Sequence, residues 1–187
     1  MLQNKFTVNS ITEQAVRLLQ DHDYRGTMIG EFQCILPVAE SLAFDEVQRK
    51  ASSSPVHVAV VTEQFLNSVR ASDAAVLASG TASLQTGLAL KPFVIVYRVS
   101  PLTFMIARLL AETKYIGIVN VLAEKKIVPE LLQNEFSVSS ITDHAARLLQ
   151  DHDYRGTMIG ELEKIGHQRG EPGAYRRAAK CIEDFIN

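Results

Sequence analysis

Three consecutive small residues, Ser79-Gly80-Thr81, close an apolar run at 73–78 and open an Ala/Leu segment that reaches about Leu90. A strand, a tight turn and a helix in that order gather the free N–H groups of the helix's first turn at one point. The helix dipole and two hydroxyls add to them, so the junction suits an anionic group such as a phosphate. Gly80 has no side chain to hold a ligand away from the backbone. Helix capping by Ser79 or Thr81 is a plainer use of the same tripeptide. The surrounding elements have to decide between the two.

Those elements alternate. Residues 33–38 read as a short apolar strand, 41–51 as a polar helix, and Ser52-Ser53-Ser54-Pro55 as a turn. VHVAVV at 56–61 is a buried strand, and 62–72 is amphipathic with Phe65, Leu66 and Val69 on one face. After the Ser79 turn and its helix, Lys91-Pro92 breaks the chain before the β-rich run at 93–97. Residues 101–112 read as an apolar helix, 115–119 as strand-like, and 127 onward as helix. Continuous apolar strands separated by helices predict an α/β fold, a parallel sheet with helices on both faces. Ligands of such sheets bind beyond the carboxyl ends of the strands, where the Ser79 turn, Arg98 and Asn120 are expected to gather.

Composition narrows the class. The 187 residues are 47% hydrophobic and 21% charged, as in an ordinary globular domain, and a net charge of -2 gives no footprint for nucleic acid. Two cysteines, Cys34 and Cys181, cannot build a disulfide framework and have no metal-ligand neighbours at useful spacing, so both are expected to be reduced in a cytoplasmic protein. No metal or other cofactor is expected. No apolar stretch approaches membrane-spanning length, and the N-terminus carries no signal-peptide core. Gly-x-Ser-x-Gly elbows and Walker loops are absent, which leaves hydrolase and NTPase readings unsupported.

An internal repeat is the second strong feature. LQNKFTVNSITEQAVRLLQDHDYRGTMIGE from Leu2 recurs at Leu132, an offset of 130, with six differences in thirty positions. Each copy carries a capping-box-like start, Ser10-Ile-Thr-Glu13 and Ser140-Ile-Thr-Asp143. Ile11, Ala15, Leu18 and Leu19 then share one helix face, as do Ile141, Ala145, Leu148 and Leu149. Two near-identical amphipathic helices in one chain invite exchange between subunits, so a homo-oligomer is expected. Asp21-His22-Asp23 and Asp151-His152-Asp153 fit a metal-holding Asp-x-Asp pattern, but their place near helix ends reads better as solvated helix termini.

Several runs resemble lipid-A-disaccharide synthase. They are Ala78-Ser79-Gly80-Thr81-Ala82-Ser83-Leu84, Lys91-Pro92, Tyr97-Arg98-Val99-Ser100-Pro101-Leu102-Thr103-Phe104, Val119-Asn120-Val121-Leu122-Ala123 and Val128-Pro129-Glu130-Leu131-Leu132-Gln133. The resemblance covers the C-terminal half of that enzyme, here roughly Gln33 to Asn187. It implies the UDP-sugar-binding half of a two-Rossmann, GT-B type glycosyltransferase, with residues 1–31 as a duplicated helical segment and 32–187 as the donor-binding domain with C-terminal helices. The family transfers diacylglucosamine from its UDP donor to diacylglucosamine 1-phosphate, without a metal. By the same resemblance Ser79, Gly80, Thr81 and Ser83 hold the donor phosphates, Gln85 the ribose, and Arg98 and Asn120 the sugar or diphosphate. Gln85 stands where the family has Glu, and Glu124-Lys125 where it has Gly-Arg, with Lys125 or Lys126 as a substitute cation.

The family's acceptor domain, its acidic catalytic residue and the first strand of the donor half have no counterpart in the sequence. A donor-binding half that works only with a separate N-terminal half is therefore one expectation. The alternative is a non-catalytic, oligomerising interaction module on the same scaffold. The apolar segment at 101–110, with Phe104, Met105 and Ile106, suits core packing, or contact with lipid at the inner face of the cytoplasmic membrane.

Overall fold

A computed structural model describes residues 33–39, 42–54, 57–78, 80–101, 103–104, 113–168 and 173–186. The first copy of the repeat lies outside these residues. Among these residues five strands and seven α-helices follow in order, with a short 3-10 turn at Gln133–Glu135: β1 (Cys34–Val38), α1 (Phe44–Ser52), β2 (Val58–Thr62), α2 (Phe65–Ala71), β3 (Ala75–Ala78), α3 (Thr81–Leu88), β4 (Phe93–Tyr97), α4 (Ile118–Ala123), β5 (Glu130–Leu132), α5 (Val138–Gln150), α6 (His152–Gln168) and α7 (Ala174–Ile186). All pairing is parallel, as continuous apolar strands joined by helical crossovers require: β1 with β2, and β3–β4–β5 in a second sheet.

β4 is the centre of the core. Phe93, Val94, Ile95 and Val96 are essentially inaccessible, flanked by Ala75 and Leu77 of β3 and Leu131 of β5. Each such side chain contributes about 1.5–3 kcal/mol. Ile141 and Leu148 of α5 and Met158, Leu162 and Ile165 of α6 close the same core. The second repeat copy therefore packs on its own sheet through the face its periodicity marks. Its helix starts earlier than the sequence pattern suggests. Ser137, not Ser140, is the N-cap, its Oγ accepting from the Ser140 N–H at 3.1 Å. Phe136 before the cap and Ile141 after it are both buried in the core and form a hydrophobic staple, and that burial fixes the entry point. Asp151 caps α6, its carboxylate accepting from the Tyr154 N–H at 2.9 Å, so in this copy the Asp-His-Asp run is a helix terminus.

Two expected elements differ. Residues 115–119 are not a strand; they run irregularly into α4, and Gly117 packs so closely on β4 that a Cβ there would collide with Ile95 Cδ1. The stretch after 127 is not helical at once, because 130–132 pair with β4, with Ile95 opposite Glu130 and Tyr97 opposite Leu132. Three residues that begin with a glutamate carry too little periodicity to announce a strand; the pairing is made by the neighbouring strand.

His144 on α5 gives the fold a pH dependence. Burial first, then the nearby Lys126 and Arg147 charges, hold its pKa below the ordinary 6.5, against Asp143 and Glu135, which raise it. The unfolded chain then binds that proton more tightly, so this stability is present above about pH 6.5 and falls as the pH drops through that value. Thermal melts from about pH 7.5 down to pH 5.5 are expected to show declining midpoints, and His144→Gln should flatten the decline. An unchanged slope in the variant would assign the effect elsewhere.

Candidate functional site

β3 and β4 run parallel with Ala78 opposite Val96, so their carboxyl ends open on one edge. From that edge one strand leads through Gly80 into α3 and the other into Arg98. Gly80 is the N-cap of α3 at φ 148 and ψ -165, and no side chain caps the first turn. That φ lies where residues with a Cβ are strained, and the space beside its Cα is open, with no atom within 4 Å of the point a Cβ would occupy. The helix N-terminus thus meets open space with its dipole unscreened by a capping hydroxyl. Thr81 and Gln85 are exposed along α3, and Arg98 is exposed one residue beyond β4. Ser79 lies outside the described residues.

Ser83 and Asn120 have other duties. Ser83 is fully buried; its hydroxyl donates to the Gly80 carbonyl at 2.7 Å, and its N–H donates to the same oxygen at 3.1 Å. Both bonds tie it to the turn at Gly80. Asn120 is fully buried as well. Its Nδ2 donates to the Val128 carbonyl at 2.9 Å and to Glu130 Oε1 at 2.7 Å, while its Oδ1 accepts from the Ile127 and Val128 N–H groups at 2.8 and 3.0 Å. Two donors and two accepted bonds exhaust an amide. The expectation that Asn120 touches sugar or diphosphate therefore meets a side chain committed to the fold. Glu130, 5% exposed, completes the cluster by accepting from Ile116 N–H at 3.0 Å and Gly117 N–H at 2.9 Å. Three charge-assisted bonds are what make a buried carboxylate tolerable.

Gln133 is a site candidate that sequence reasoning did not name. It follows the carboxyl end of β5 with φ 50, in the left-handed region that a non-glycine residue adopts at a cost. Its Oε1 accepts from the Val99 N–H at 3.3 Å, which places it beside the exit of β4 and Arg98. Its Nε2 is buried and has no partner. An unpaired buried donor is expensive, about 1–3 kcal/mol. The signal available beforehand was its place as the last residue of the run Val128–Gln133 that carries the family resemblance.

The cations proposed to replace the family's arginine are drawn elsewhere. Lys125 forms an ion pair with Glu161 of α6, and Lys126 lies near enough to His144 to disfavour its protonation. Glu124, in the family's glycine position, ends α4 in the left-handed conformation at φ 54. Glu124→Gly should relieve that backbone and stabilise the chain by about 0.5–1 kcal/mol, a rise of about 2–4 °C per kcal/mol in the melting midpoint. A midpoint that stays or falls would show the turn to be unstrained. Among the described residues no three His, Cys, Asp or Glu side chains are grouped to hold a metal, and no helix is long and apolar enough to cross a membrane.

Parallel strands flanked by helices are the architecture of a Rossmann-like α/β half of a GT-B type glycosyltransferase. A family model described as lipid-A-disaccharide synthetase matches residues 6–183, and the chain belongs to that family. Curated relatives agree. The lipid-A-disaccharide synthase of Myxococcus xanthus is 35% identical over 154 residues, 82% of this chain and 40% of that one. That of Coxiella burnetii strain CbuG_Q212 is 34% identical over 173 residues, 92% of this chain and 44% of its own. The enzyme of Anaeromyxobacter dehalogenans strain 2CP-1 is 38% identical over 151 residues, 80% of this chain and 39% of its own. The chain thus spans less than half the length of these relatives.

Proposed function

We propose that this chain is the donor-binding part of a glycosyltransferase of lipid A biosynthesis, one that transfers diacylglucosamine from its UDP donor to diacylglucosamine 1-phosphate. The observation that carries the reading is the shared carboxyl edge of β3 and β4 in a member of this family, from which the uncapped α3 N-terminus and Arg98 both follow. The α3 N–H groups, Ser79 and Thr81 bind the diphosphate, and Arg98 neutralises the charge that grows on it as the sugar leaves. Gln85 takes the ribose hydroxyls, and Gln133 offers its Nε2 to the donor. Ser83 and Asn120 hold the shape of the site. A separate half supplies the base and the acceptor site, so the chain alone turns over too slowly to be a useful synthase. Its place is the cytoplasm, against the inner face of the cytoplasmic membrane, where a diacylated substrate is met.

Calorimetric titration of the purified chain with UDP, with Ser79→Ala as a control, tests this. Binding in the millimolar range or tighter that the substitution weakens would support the donor site. A folded chain that takes up no UDP would favour the interaction-module alternative.

The repeat supports a homo-oligomer in the same reading. Since α5 buries Ile141 and Leu148 on its own sheet, the matching Ile11 and Leu18 reach the same surface of a second copy only by exchange, in place of that copy's α5. Sedimentation at micromolar concentration should show more than monomer; monomer alone would sink the proposal.

A further inference from the structure

Within the second copy of the repeat, Phe136, Ile141, Leu148 and Met158 are the buried apolar side chains that hold it on the sheet. The first copy has the same residue at each of those places: Phe6, Ile11, Leu18 and Met28. Its helix-end chemistry is kept as well. Thr7 stands for the cap Ser137, and threonine caps nearly as well as serine. Asp21 stands for Asp151, which caps α6. Arg17 and Tyr24 stand for Arg147 and Tyr154, whose guanidinium lies 3.9 Å from the ring centroid. The six differences fall at Glu135, Ser137, Ser139, Asp143, His144 and Ala146, all of them exposed or half-buried. No side chain buried within the repeat has changed, so the first copy carries what the seat requires.

What has changed is chemistry at one spot. Of the six pairs, only His144 and Gln14 differ in a group that ordinarily titrates between about pH 5 and 8. His144 is half-buried on α5. Burial opposes a proton there most, then Lys126 from the loop after α4 and Arg147 on the same helix, while Asp143 and Glu135 favour one. None of these groups is on α6, and β3 and β4, on which α5 also packs, have no charged residue. The seated imidazole is therefore harder to protonate than one released into water. Below about pH 6.5 the released helix takes up a proton that the seated one resists, so acid loosens α5. A glutamine in the same place has no proton to gain.

We infer that the two repeat copies are alternative occupants of the α5 seat, and that the difference between His144 and Gln14 makes acid favour the first copy. The inference rests on the exchange proposed above, in which residues 2–31 of one chain take the seat of a second and its α5 is released. As the pH falls through about 6.5 the hold of α5 on its own seat weakens, while that of the copy bearing Gln14 does not. Lys5, which stands where the second copy has Glu135, keeps its charge across that range and adds no pH dependence. The chain thus answers acidification by joining another copy of itself. The response is a shift of population, bounded by the proton affinity that one histidine per seat gains on release.

Sedimentation velocity of the full chain at micromolar concentration, at about pH 7.5 and about pH 5.5 in the same salt, tests it. The dimer fraction should rise about two-fold or more in acid. Ile11→Asp, which spoils the apolar face of the first copy, should leave monomer at both pH values. His144→Gln should keep the dimer and lose the rise. Gln14→His should lose the rise too, because both copies then resist the proton; a merely structural role for His144 would not respond to a change in the other copy. Each variant is checked for a cooperative melt, and if His144→Gln does not fold, Gln14→His carries the same test. A dimer whose fraction ignores pH, or a rise that either histidine variant keeps, would overturn this inference and leave the exchange standing. No dimer at either pH, or a rise that Ile11→Asp keeps, would overturn both. UDP uptake is read separately, so its failure is not confused with either.

Discussion

Replacing Asn120 by alanine is expected to cost about 3–5 kcal/mol, a large share of the stability of a domain this size. From α4 the amide satisfies Glu130 Oε1, the Val128 carbonyl and two N–H groups at 2.7–3.0 Å, all in a buried site. Alanine would take that partner from all four groups in a buried site. Urea denaturation would show the loss as an earlier midpoint. Asn120→Asp sharpens the test, because it keeps the shape but sets a second carboxylate beside Glu130. One of the pair must then hold a proton, so its folded pKa is raised. That variant should regain stability as the pH falls, the reverse of the parent's His144-driven trend. A contact residue of the sugar would behave differently: Asn120→Ala would melt like the parent and lose only donor affinity. That outcome would restore the role the resemblance first implied.

The second large effect is on binding. Arg98→Ala should weaken UDP about 30–100-fold, the equivalent of about 2–3 kcal/mol for a charge-assisted pair with a diphosphate. Stability should hardly move, because Arg98 is exposed just past β4. Arg98→Lys should recover part of the loss, since a lysine keeps the charge but not the planar fork. Added salt should weaken the parent more than the alanine variant. UDP affinity that survives Arg98→Ala would remove the arginine from the site and leave the α3 N-terminus alone to hold the phosphates.

Sequence alone determined what local chemistry can encode. The apolar run Phe93–Tyr97 is β4 to the residue, bounded by a proline break and an arginine. The strand at Ala75–Ala78, the glycine turn and the helix from Thr81 fall where the run of apolar, small and helix-forming residues puts them. The face of α5 follows its period, with Ile141 and Leu148 inward. Tertiary structure decided the rest, because it turned on partners distant in the chain. Residues 115–117 gave up a strand because the Glu130 carboxylate takes the Ile116 and Gly117 N–H groups. Three residues at 130–132 became β5 because β4 lay beside them. Ser137 displaced Ser140 as the cap because Phe136 needed burial. Asn120 came to bond Glu130 in a buried cluster, and Gln133 came to the edge with a donor unpaired, through contacts that no spacing in the sequence could announce. Periodicity and turn chemistry act over a few residues; a buried hydrogen-bond partner is fixed only when the whole fold closes around it.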